Sequence, residues 1–281
     1  MIVLKGAEVS AKIKDQVQEI LKRLNRKAPR LAIVRVGEKP DDLSYERGAV
    51  KKIEAFGMEA RSYAFPYDVA NEEFQKEFRK INEDPEICGI LLLRPLPDQI
   101  CQEELERAID PDKDLDGISP VNIAKVFAGD DSGFAPCTAE AVVEMLKANE
   151  IPVSGKRAVI VGRSMVVGKP LAMLLMKEHA TVTVCHTRTV DLPGVCREGE
   201  ILVAAAGRAG MIGRDHVGEG AVVIDVGINV GEDGNLCGDV DFEAVRDRAA
   251  MATPVPGGVG TVTTAVLARH LALAAVRADS V

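Results

Sequence analysis

The chain has 281 residues, of which 47% are hydrophobic and 28% are charged, and it carries a formal net charge of −8. This length allows two domains of ordinary size, and the composition is that of a globular protein with ample apolar residues for a core. The negative charge and an aromatic content of 4% argue against nucleic acid as the main partner, because binding it needs a basic face or aromatic rings for stacking.

Strands and helices alternate in the first half of the chain. The spacing of apolar residues predicts a helix over residues 9–24, a strand over 30–36, a helix over 42–55, a strand over 61–65, a helix over 71–81 and a strand over 87–93. This alternation indicates an α/β fold with a parallel sheet.

Residues 95–138 are rich in Pro, Gly and Asp and are predicted to be mostly turns. Loops of this kind that follow strand ends are where α/β proteins place ligands. Thr138 is predicted to cap a helix through residue 148, which would link two domains.

The second half repeats the strand–helix pattern. Strands are predicted over residues 158–161, 181–185, 201–205 and 221–225, and a final apolar helix over 263–275. We therefore expect a first domain of residues 1–140, completed by residues 263–281, and a second domain of residues 141–262.

A glycine turn joins the first strand of this second domain to a helix. Gly162 ends the strand, and Gly168 opens the helix two residues before Pro170. Such a turn aims backbone N–H groups and a helix N-terminus at an anion, typically a dinucleotide pyrophosphate. Ser164 stands where the common G-x-G-x-x-G pattern has its second glycine, so an ordinary βα turn is the alternative.

Residues 184–189, which follow the next strand, contain no carboxylate. An acidic residue there would accept hydrogen bonds from the 2′-hydroxyl of NAD and would repel a 2′-phosphate. Arg163, Ser164 and Arg188 could instead hold that phosphate, which favours NADP over NAD. The alternative is that both arginines are solvated loop residues.

The six cysteines are scattered, without a C-x-x-C pair, and none of the four histidines is paired at ligand spacing. We therefore expect no metal site, and reduced thiols in the cytoplasm. No run approaches the roughly 18 apolar residues that a membrane span requires, and the N-terminus lacks the layout of a signal peptide.

Several motifs together resemble the bacterial bifunctional methylenetetrahydrofolate dehydrogenase/cyclohydrolase family. They run from the N-terminal helix to the C-terminus, and the Lys-Asp-x-Asp-Gly and Pro-Val-Pro-Gly-Gly-Val-Gly strings are highly specific. The motifs lie at residues 113–117, 136–138, 162–170, 180–186, 223–229, 238–240 and 253–260.

The resemblance implies a homodimer of two α/β domains, the second a Rossmann-like NADP domain, with folate in the cleft between them. It implies oxidation of 5,10-methylenetetrahydrofolate by NADP, followed by hydrolysis to 10-formyltetrahydrofolate. The implied cofactor contacts are Gly162, Arg163, Ser164, Gly168, Thr187, Arg188 and Ile228. The implied folate contacts are Tyr45, Asp116, Pro254, Gly257, Gly258 and Val259.

Two positions depart from the family pattern. Ala49 stands where the family has a proton-transferring lysine one helical turn after Tyr45, and Leu93 stands where it has a glutamine. Arg94, which follows Leu93, could supply charge and orientation, although its pKa is too high for a base. Lys52 is rotated about 300° from Ala49 on the helix and is the better lysine candidate.

Three hypotheses follow for the catalytic set of Tyr45, Asp116, Lys52 and Arg94. The first is that the chain retains both activities. The second, which we favour, is that it is a dehydrogenase whose cyclohydrolase step is weak or absent. The third is that it is an inactive folate- and nucleotide-binding relative. Without the resemblance, the residues would indicate an NADP-dependent dehydrogenase of another small cyclic substrate, for example of the shikimate type.

Overall fold

The computed structural model describes residues 1–24, 28–231 and 234–279. The chain divides into two compact units. One contains Met1–Lys12 and Thr138–Thr263, and the other contains Ile13–Cys137 and the segment from Thr264 onward. The prediction of two α/β units with parallel sheets is confirmed. The sequence-based division placed residues 1–12 in the first domain, but they join the other unit because their strand pairs with its sheet.

In chain order, the described residues up to 148 form β1 (Ile2–Val3), α1 (Gly6–Leu21), β2 (Arg30–Val36), α2 (Pro40–Ala55), β3 (Glu59–Phe65), α3 (Asn71–Glu83), β4 (Gly89–Leu92), α4 (Gln102–Ala108), α5 (Pro120–Ala128) and α6 (Cys137–Ala148). The later described residues form β5 (Arg157–Val161), α7 (Gly168–Lys177), β6 (Thr181–Cys185), α8 (Leu192–Arg197), β7 (Ile201–Ala204), a short 3-10 helix (Arg214–His216), β8 (Val222–Asp225), β9 (Asn229–Val230), β10 (Leu236–Cys237), β11 (Met251–Ala252) and α9 (Val259–Asp279).

The unit of residues 13–137 and 264–279 has a parallel sheet in the order β3–β2–β4. Its central strand β2 is apolar and almost wholly buried, as expected for a strand covered on both faces. Phe74 and Phe78 on α3 pack into the same core, since their spacing of four residues places them on one face of the helix. Tyr45, Arg94 and Asp116 all belong to this unit.

Residues 95–138, predicted as mostly turns, contain α4 and α5 as well. The start and stop signals of α5 were present in the sequence. Ser119 accepts the N–H of Asn122 at 3.1 Å, Pro120 begins the helix, and Gly129 ends it with φ 72°. The prediction that Thr138 caps the next helix was wrong, because α6 begins one residue earlier at Cys137.

The other unit has a six-stranded parallel sheet in the order β1–β11–β8–β7–β5–β6. Strand β5 lies between β7 and β6, so the strand order reverses direction beside it. In doubly wound sheets the crevice at the carboxyl ends of such strands is the usual dinucleotide site. The two-residue strands β1, β11, β9 and β10 were not predicted, because two residues show no periodicity.

Helix α9 begins at Val259, inside the motif at residues 253–260, and extends beyond the predicted end at residue 275. By length and composition alone this helix could cross a membrane, but 72% of its apolar 18-residue stretch is buried within the protein. Such burial is typical of the core helix of a soluble protein. Its residues from Thr264 onward belong to the unit that contains Asp116.

Candidate active site

Tyr45 lies on α2 with its ring partly buried. Burial raises the pKa of the phenol well above 10.0, and the negative charge of Asp116 raises it further. The phenol therefore keeps its proton at neutral pH and can donate a hydrogen bond or pack against a planar ring.

Asp116 lies in the loop between α4 and α5. Its Oδ1 accepts the backbone N–H of Cys137 at 2.9 Å, and its Oδ2 lies 3.7 Å from Nη2 of Arg94. Burial raises the pKa of this carboxyl, whereas the Cys137 N–H and the Arg94 charge lower it. Gly117 has φ +60°, and a Cβ there would lie 2.5 Å from the Phe134 carbonyl oxygen. Glycine therefore lets this loop pack against the segment that leads to Cys137.

The other polar residues of the Lys-Asp-x-Asp-Gly string build the loop. Asp114 is buried and accepts the N–H groups of Ile118 at 3.0 Å and Ser119 at 2.8 Å. The Lys113 ammonium donates to the carbonyl oxygens of Asn82 at 2.7 Å and Asp84 at 2.8 Å, at the end of α3. Asp114 and Lys113 are therefore hydrogen-bonded within the protein. Asp116 is the other carboxylate of the string and is the one that can bind a ligand.

Arg94 follows β4 and lies between two carboxylates. Its Nη1 is 3.4 Å from Oε1 of Glu106, and its Nη2 is 3.7 Å from Oδ2 of Asp116. Its Nε is buried and has no hydrogen-bond partner among the described residues. The sequence reasoning did not identify Glu106, whose helix α4 was not predicted.

The two departures from the family pattern are both buried. Ala49 has no exposed surface, and Leu93 is 6% exposed. Neither side chain can donate or accept a proton.

Lys52, the candidate replacement, lies with its ammonium 5.7 Å from the centre of the Phe56 ring. Burial lowers the pKa of this ammonium, and the nearby charge of Lys14 lowers it further. Lys52 is seven residues after Tyr45, which places it on the same helix face but about 10 Å along the axis.

The predicted cofactor turn follows β5 in the other unit. Gly162 has φ +141°, and a Cβ there would lie 2.1 Å from the Ala205 carbonyl oxygen at the end of β7. A Cβ at Gly168 would lie 2.1 Å from the Gly162 carbonyl oxygen. Ser164 Oγ accepts the N–H of Val167 at 3.1 Å. This serine therefore closes the turn at the position where the G-x-G-x-x-G pattern has its second glycine.

Arg163, Thr187 and Arg188 are exposed beyond the ends of β5 and β6. These strands are neighbours in parallel register, with Val161 opposite Cys185. The side chains therefore emerge at the same edge of the sheet. His186 shapes the second loop, because its Nδ1 accepts the N–H of Arg188 at 3.1 Å.

Two buried carboxylates that the sequence reasoning did not identify organise the loops after β7 and β8. Asp239 accepts the N–H groups of Gly207 at 2.9 Å and Arg208 at 2.8 Å. Asp225 accepts the N–H groups of Gly227, Asp239 and Val240 at 2.9–3.0 Å, and burial raises its pKa to about 6. Ile228, a predicted cofactor contact, lies in the second loop with 66% of its surface exposed.

The predicted folate contacts of residues 254–259 belong to this unit and not to the unit of Tyr45 and Asp116. Gly257 has φ +99°, and its carbonyl oxygen accepts the N–H of Gly6 at 2.8 Å. Gly258 and Val259 are buried, whereas Pro254 is partly exposed. The hydrogen bond between Gly6 and Gly257 joins the start of α1 to residues 254–259.

Across residues 1–24, 28–231 and 234–279, no group of three or more His, Cys, Asp or Glu side chains could hold a metal ion.

Comparison with known proteins identifies both parts of the chain. Residues 4–116 match the tetrahydrofolate dehydrogenase/cyclohydrolase catalytic domain, and residues 136–279 match the NAD(P)-binding domain of the same family. The chain is 51% identical to the bifunctional protein FolD of Alkaliphilus oremlandii (strain OhILAs), over 96% of this chain and 95% of the relative.

Two solved structures have the same fold over nearly their whole length. One is the bifunctional FolD methylenetetrahydrofolate dehydrogenase/cyclohydrolase of Campylobacter jejuni, with a TM-score of 0.94, 39% identity and 99% of each chain covered. The other is the Trypanosoma brucei enzyme complexed with NADP cofactor and inhibitor, with a TM-score of 0.91, 33% identity, and 100% of this chain and 98% of that one covered.

Proposed function

Because the chain belongs to the tetrahydrofolate dehydrogenase/cyclohydrolase family, we propose that it oxidises 5,10-methylenetetrahydrofolate to 5,10-methenyltetrahydrofolate with NADP. The observation that carries this proposal is the partly buried carboxylate of Asp116, which lies near Tyr45 and whose Oδ2 forms no hydrogen bond with Arg94. The same chain has the tight glycine turn at Gly162. NADP supplies the hydride acceptor, so the protein contributes mainly binding and orientation.

Asp116 is the proposed recognition group for the pterin. A carboxylate accepts hydrogen bonds from the amino group and ring N–H of a pterin. The Cys137 N–H fixes Oδ1, so Oδ2 is the oxygen available to these donors. Tyr45 is proposed to lie against the planar ring with its phenol protonated. Pro254, Gly257, Gly258 and Val259 remain predicted folate contacts.

The cofactor site is proposed at the glycine turn and the loops beside it. The fit rests on Gly162 and Gly168, where a Cβ would collide with backbone, so glycine lets the chain form the tight strand–helix turn whose helix N-terminus would bind a pyrophosphate. Arg163, Ser164 and Arg188 would hold the 2′-phosphate, since guanidinium groups bind phosphate in bidentate fashion. Thr187 and Ile228, exposed at the same strand ends, remain predicted contacts of this cofactor.

The hydrolysis of methenyltetrahydrofolate is proposed to be weak or absent. That step needs a group to accept a proton from water and a group to return one to the leaving nitrogen. Ala49 and Leu93 occupy the two positions where the family has lysine and glutamine, and both are buried and apolar. Arg94 supplies charge beside Asp116, but a guanidinium has only N–H donors and cannot accept a proton from water.

A retained cyclohydrolase is the second candidate function, and the lowered pKa of Lys52 favours it. A lysine with a lowered pKa is a better general base. The ammonium of Lys52 lies over Phe56, so this role requires the side chain to turn toward Tyr45. Lys52→Met would abolish hydrolysis on this hypothesis and leave hydride transfer intact.

The test of the main proposal is to mix the purified protein with methylenetetrahydrofolate and NADP and to follow absorbance at the NADPH band. We expect reduction with NADP that exceeds reduction with NAD. Absence of hydride transfer to either nucleotide, together with measurable folate binding, would support the inactive folate-binding relative instead. Decay of added methenyltetrahydrofolate, compared with buffer alone, measures the cyclohydrolase.

We also expect a homodimer in the cytoplasm, with tetrahydrofolate derivatives as its ligands and neither nucleic acid nor membrane as a partner. The free edge of β3 in the order β3–β2–β4 supports an assembly through this sheet. The six free cysteines support a reducing compartment. Light scattering coupled to size-exclusion chromatography tests the dimer directly.

A further inference from the structure

Two carboxylates compete for the guanidinium of Arg94. Glu106 on α4 approaches Nη1 at 3.4 Å, within hydrogen-bond range, whereas Oδ2 of Asp116 is 3.7 Å from Nη2. At 3.7 Å the second pair attracts electrostatically but forms no hydrogen bond. Oδ2 of Asp116 therefore keeps its capacity to accept a hydrogen bond from another molecule.

Glu106 is itself fixed in place. Gln102, one turn earlier on the same helix, donates to its Oε1 at 2.7 Å. The side chains of Glu106 and Arg94 are 25% and 17% exposed, so water screens this pair only in part. Glu106 is thus a held negative charge that approaches Nη1 of Arg94, whereas Asp116 approaches Nη2.

The hydrogen bonding of Arg94 is incomplete. Its buried Nε has no partner in the described part of the chain. A guanidinium unopposed beside a partly buried carboxylate would turn to donate N–H hydrogen bonds to it. The single, long approach to each carboxylate, with Nε unpaired, indicates that Glu106 holds Arg94 in this intermediate position.

We propose that Glu106 is a positioning residue: it holds the Arg94 guanidinium off Asp116, so that Oδ2 of Asp116 stays open to the N–H donors of the folate substrate. This rests on the proposed function, in which Asp116 recognises the pterin. Without the charge of Glu106, Arg94 closes onto Asp116 and occupies the oxygen that the substrate needs.

The test compares Glu106→Gln with Glu104→Gln, which removes an exposed carboxylate from the same helix. We expect Glu106→Gln to raise KM for methylenetetrahydrofolate about tenfold, as loss of a charge-assisted hydrogen bond does. KM for NADP and kcat should stay near the wild-type values, and Glu104→Gln should change none of these. A merely structural defect would instead lower the active fraction and hence the apparent kcat.

A second pair of variants tests whether Glu106 acts through Arg94. In an Arg94→Met background, Glu106→Gln should leave the folate KM unchanged, because no guanidinium remains to close onto Asp116. If the Met variant turns over too slowly, the dissociation constant of tetrahydrofolate from calorimetry replaces KM. An equal effect of Glu106→Gln in both backgrounds, or no effect in either, overturns the inference.

These outcomes are separable from failure of the proposed function. A wild-type protein that binds tetrahydrofolate without hydride transfer refutes the dehydrogenase, and the Glu106 comparison then proceeds on dissociation constants. A wild-type protein that binds no folate overturns both.

Discussion

Oδ2 of Asp116 lies 3.7 Å from Nη2 of Arg94, while the other oxygen of the same carboxylate accepts the Cys137 N–H at 2.9 Å. One oxygen is thus fixed by the backbone and the other faces a charge at a distance too long for a hydrogen bond. Burial raises the pKa of Asp116, whereas the hydrogen bond from the Cys137 N–H and the positive charge of Arg94 lower it. The arrangement favours a carboxylate that is oriented and still able to accept a hydrogen bond.

Asp116→Asn is expected to raise KM for methylenetetrahydrofolate about 10- to 100-fold, because a charged acceptor is replaced by a neutral amide. The NADP dissociation constant should not change, and steady-state kinetics with both substrates varied measures the two effects. Asp112→Asn, an exposed position in the same loop, is the control. A similar rise in both variants would refute a specific role for Asp116.

Ala49→Lys combined with Leu93→Gln is expected to increase the hydrolysis of methenyltetrahydrofolate above that of the starting protein. The pair restores a proton-transfer group and a polar partner at two positions that are now apolar. Because both sites are buried, the unfolding temperature should fall, and it must be measured alongside the rate. A folded double variant with no gain in hydrolysis would contradict the assignment of these positions.

Arg188→Ala is expected to lower kcat/KM for NADP about 10- to 100-fold and to change kcat/KM for NAD little, since only NADP carries the 2′-phosphate. The ratio of the two constants is the measurement. Arg157→Ala is the matched control, because Arg157 begins β5 at the opposite end of the strand from Arg163. Equal losses with both nucleotides would place Arg188 outside the phosphate site.

Gly168→Ala is expected to destabilise the protein by about 1–3 kcal/mol and to weaken NADP binding, because overpacking against backbone cannot be relieved by a side-chain rotation. The added Cβ would lie 2.1 Å from the Gly162 carbonyl oxygen. Gly213→Ala adds the same group with no atom within 4 Å. Denaturant unfolding of the two variants should separate them clearly, and equal stability would argue against the tight turn.

Asp225 is expected to make stability depend on pH. Its pKa is about 6 in the folded protein, against an ordinary value of 3.8 for an aspartate carboxyl, so the folded state binds the proton more tightly. The contribution is fully present below about pH 4 and is lost as pH rises through about 6, a loss of about 3 kcal/mol. Between pH 4 and pH 7 the unfolding free energy of the wild type should fall by about 3 kcal/mol relative to that of Asp225→Asn, whose amide does not titrate. Parallel curves would contradict the raised pKa.

Local pattern accounts for much of the fold. Strands β2 and β6 have the predicted bounds because β2 contains the apolar run of residues 31–34 and β6 alternates threonine with valine. Helix α5 was not predicted, although Ser119, Pro120 and Gly129 mark its ends, because the sequence around it is rich in Pro and Gly and therefore favours turns. Strand β1 could not be predicted, since its two residues acquire strand geometry only by pairing with β11.

The sequence by itself determined the family, the alternation of strands and helices, the glycine turn at Gly162 and the two apolar replacements at Ala49 and Leu93. All of these are carried by residue identity and local spacing. Only the tertiary structure decided that Asp114 and Lys113 build a loop while Asp116 stays available, and that Glu106 reaches Arg94. It also decided that Asp225 and Asp239 hold the loops beside the cofactor turn. Those roles depend on which hydrogen-bonding groups meet after the chain has folded, and such meetings between distant residues leave no periodic signal in the sequence.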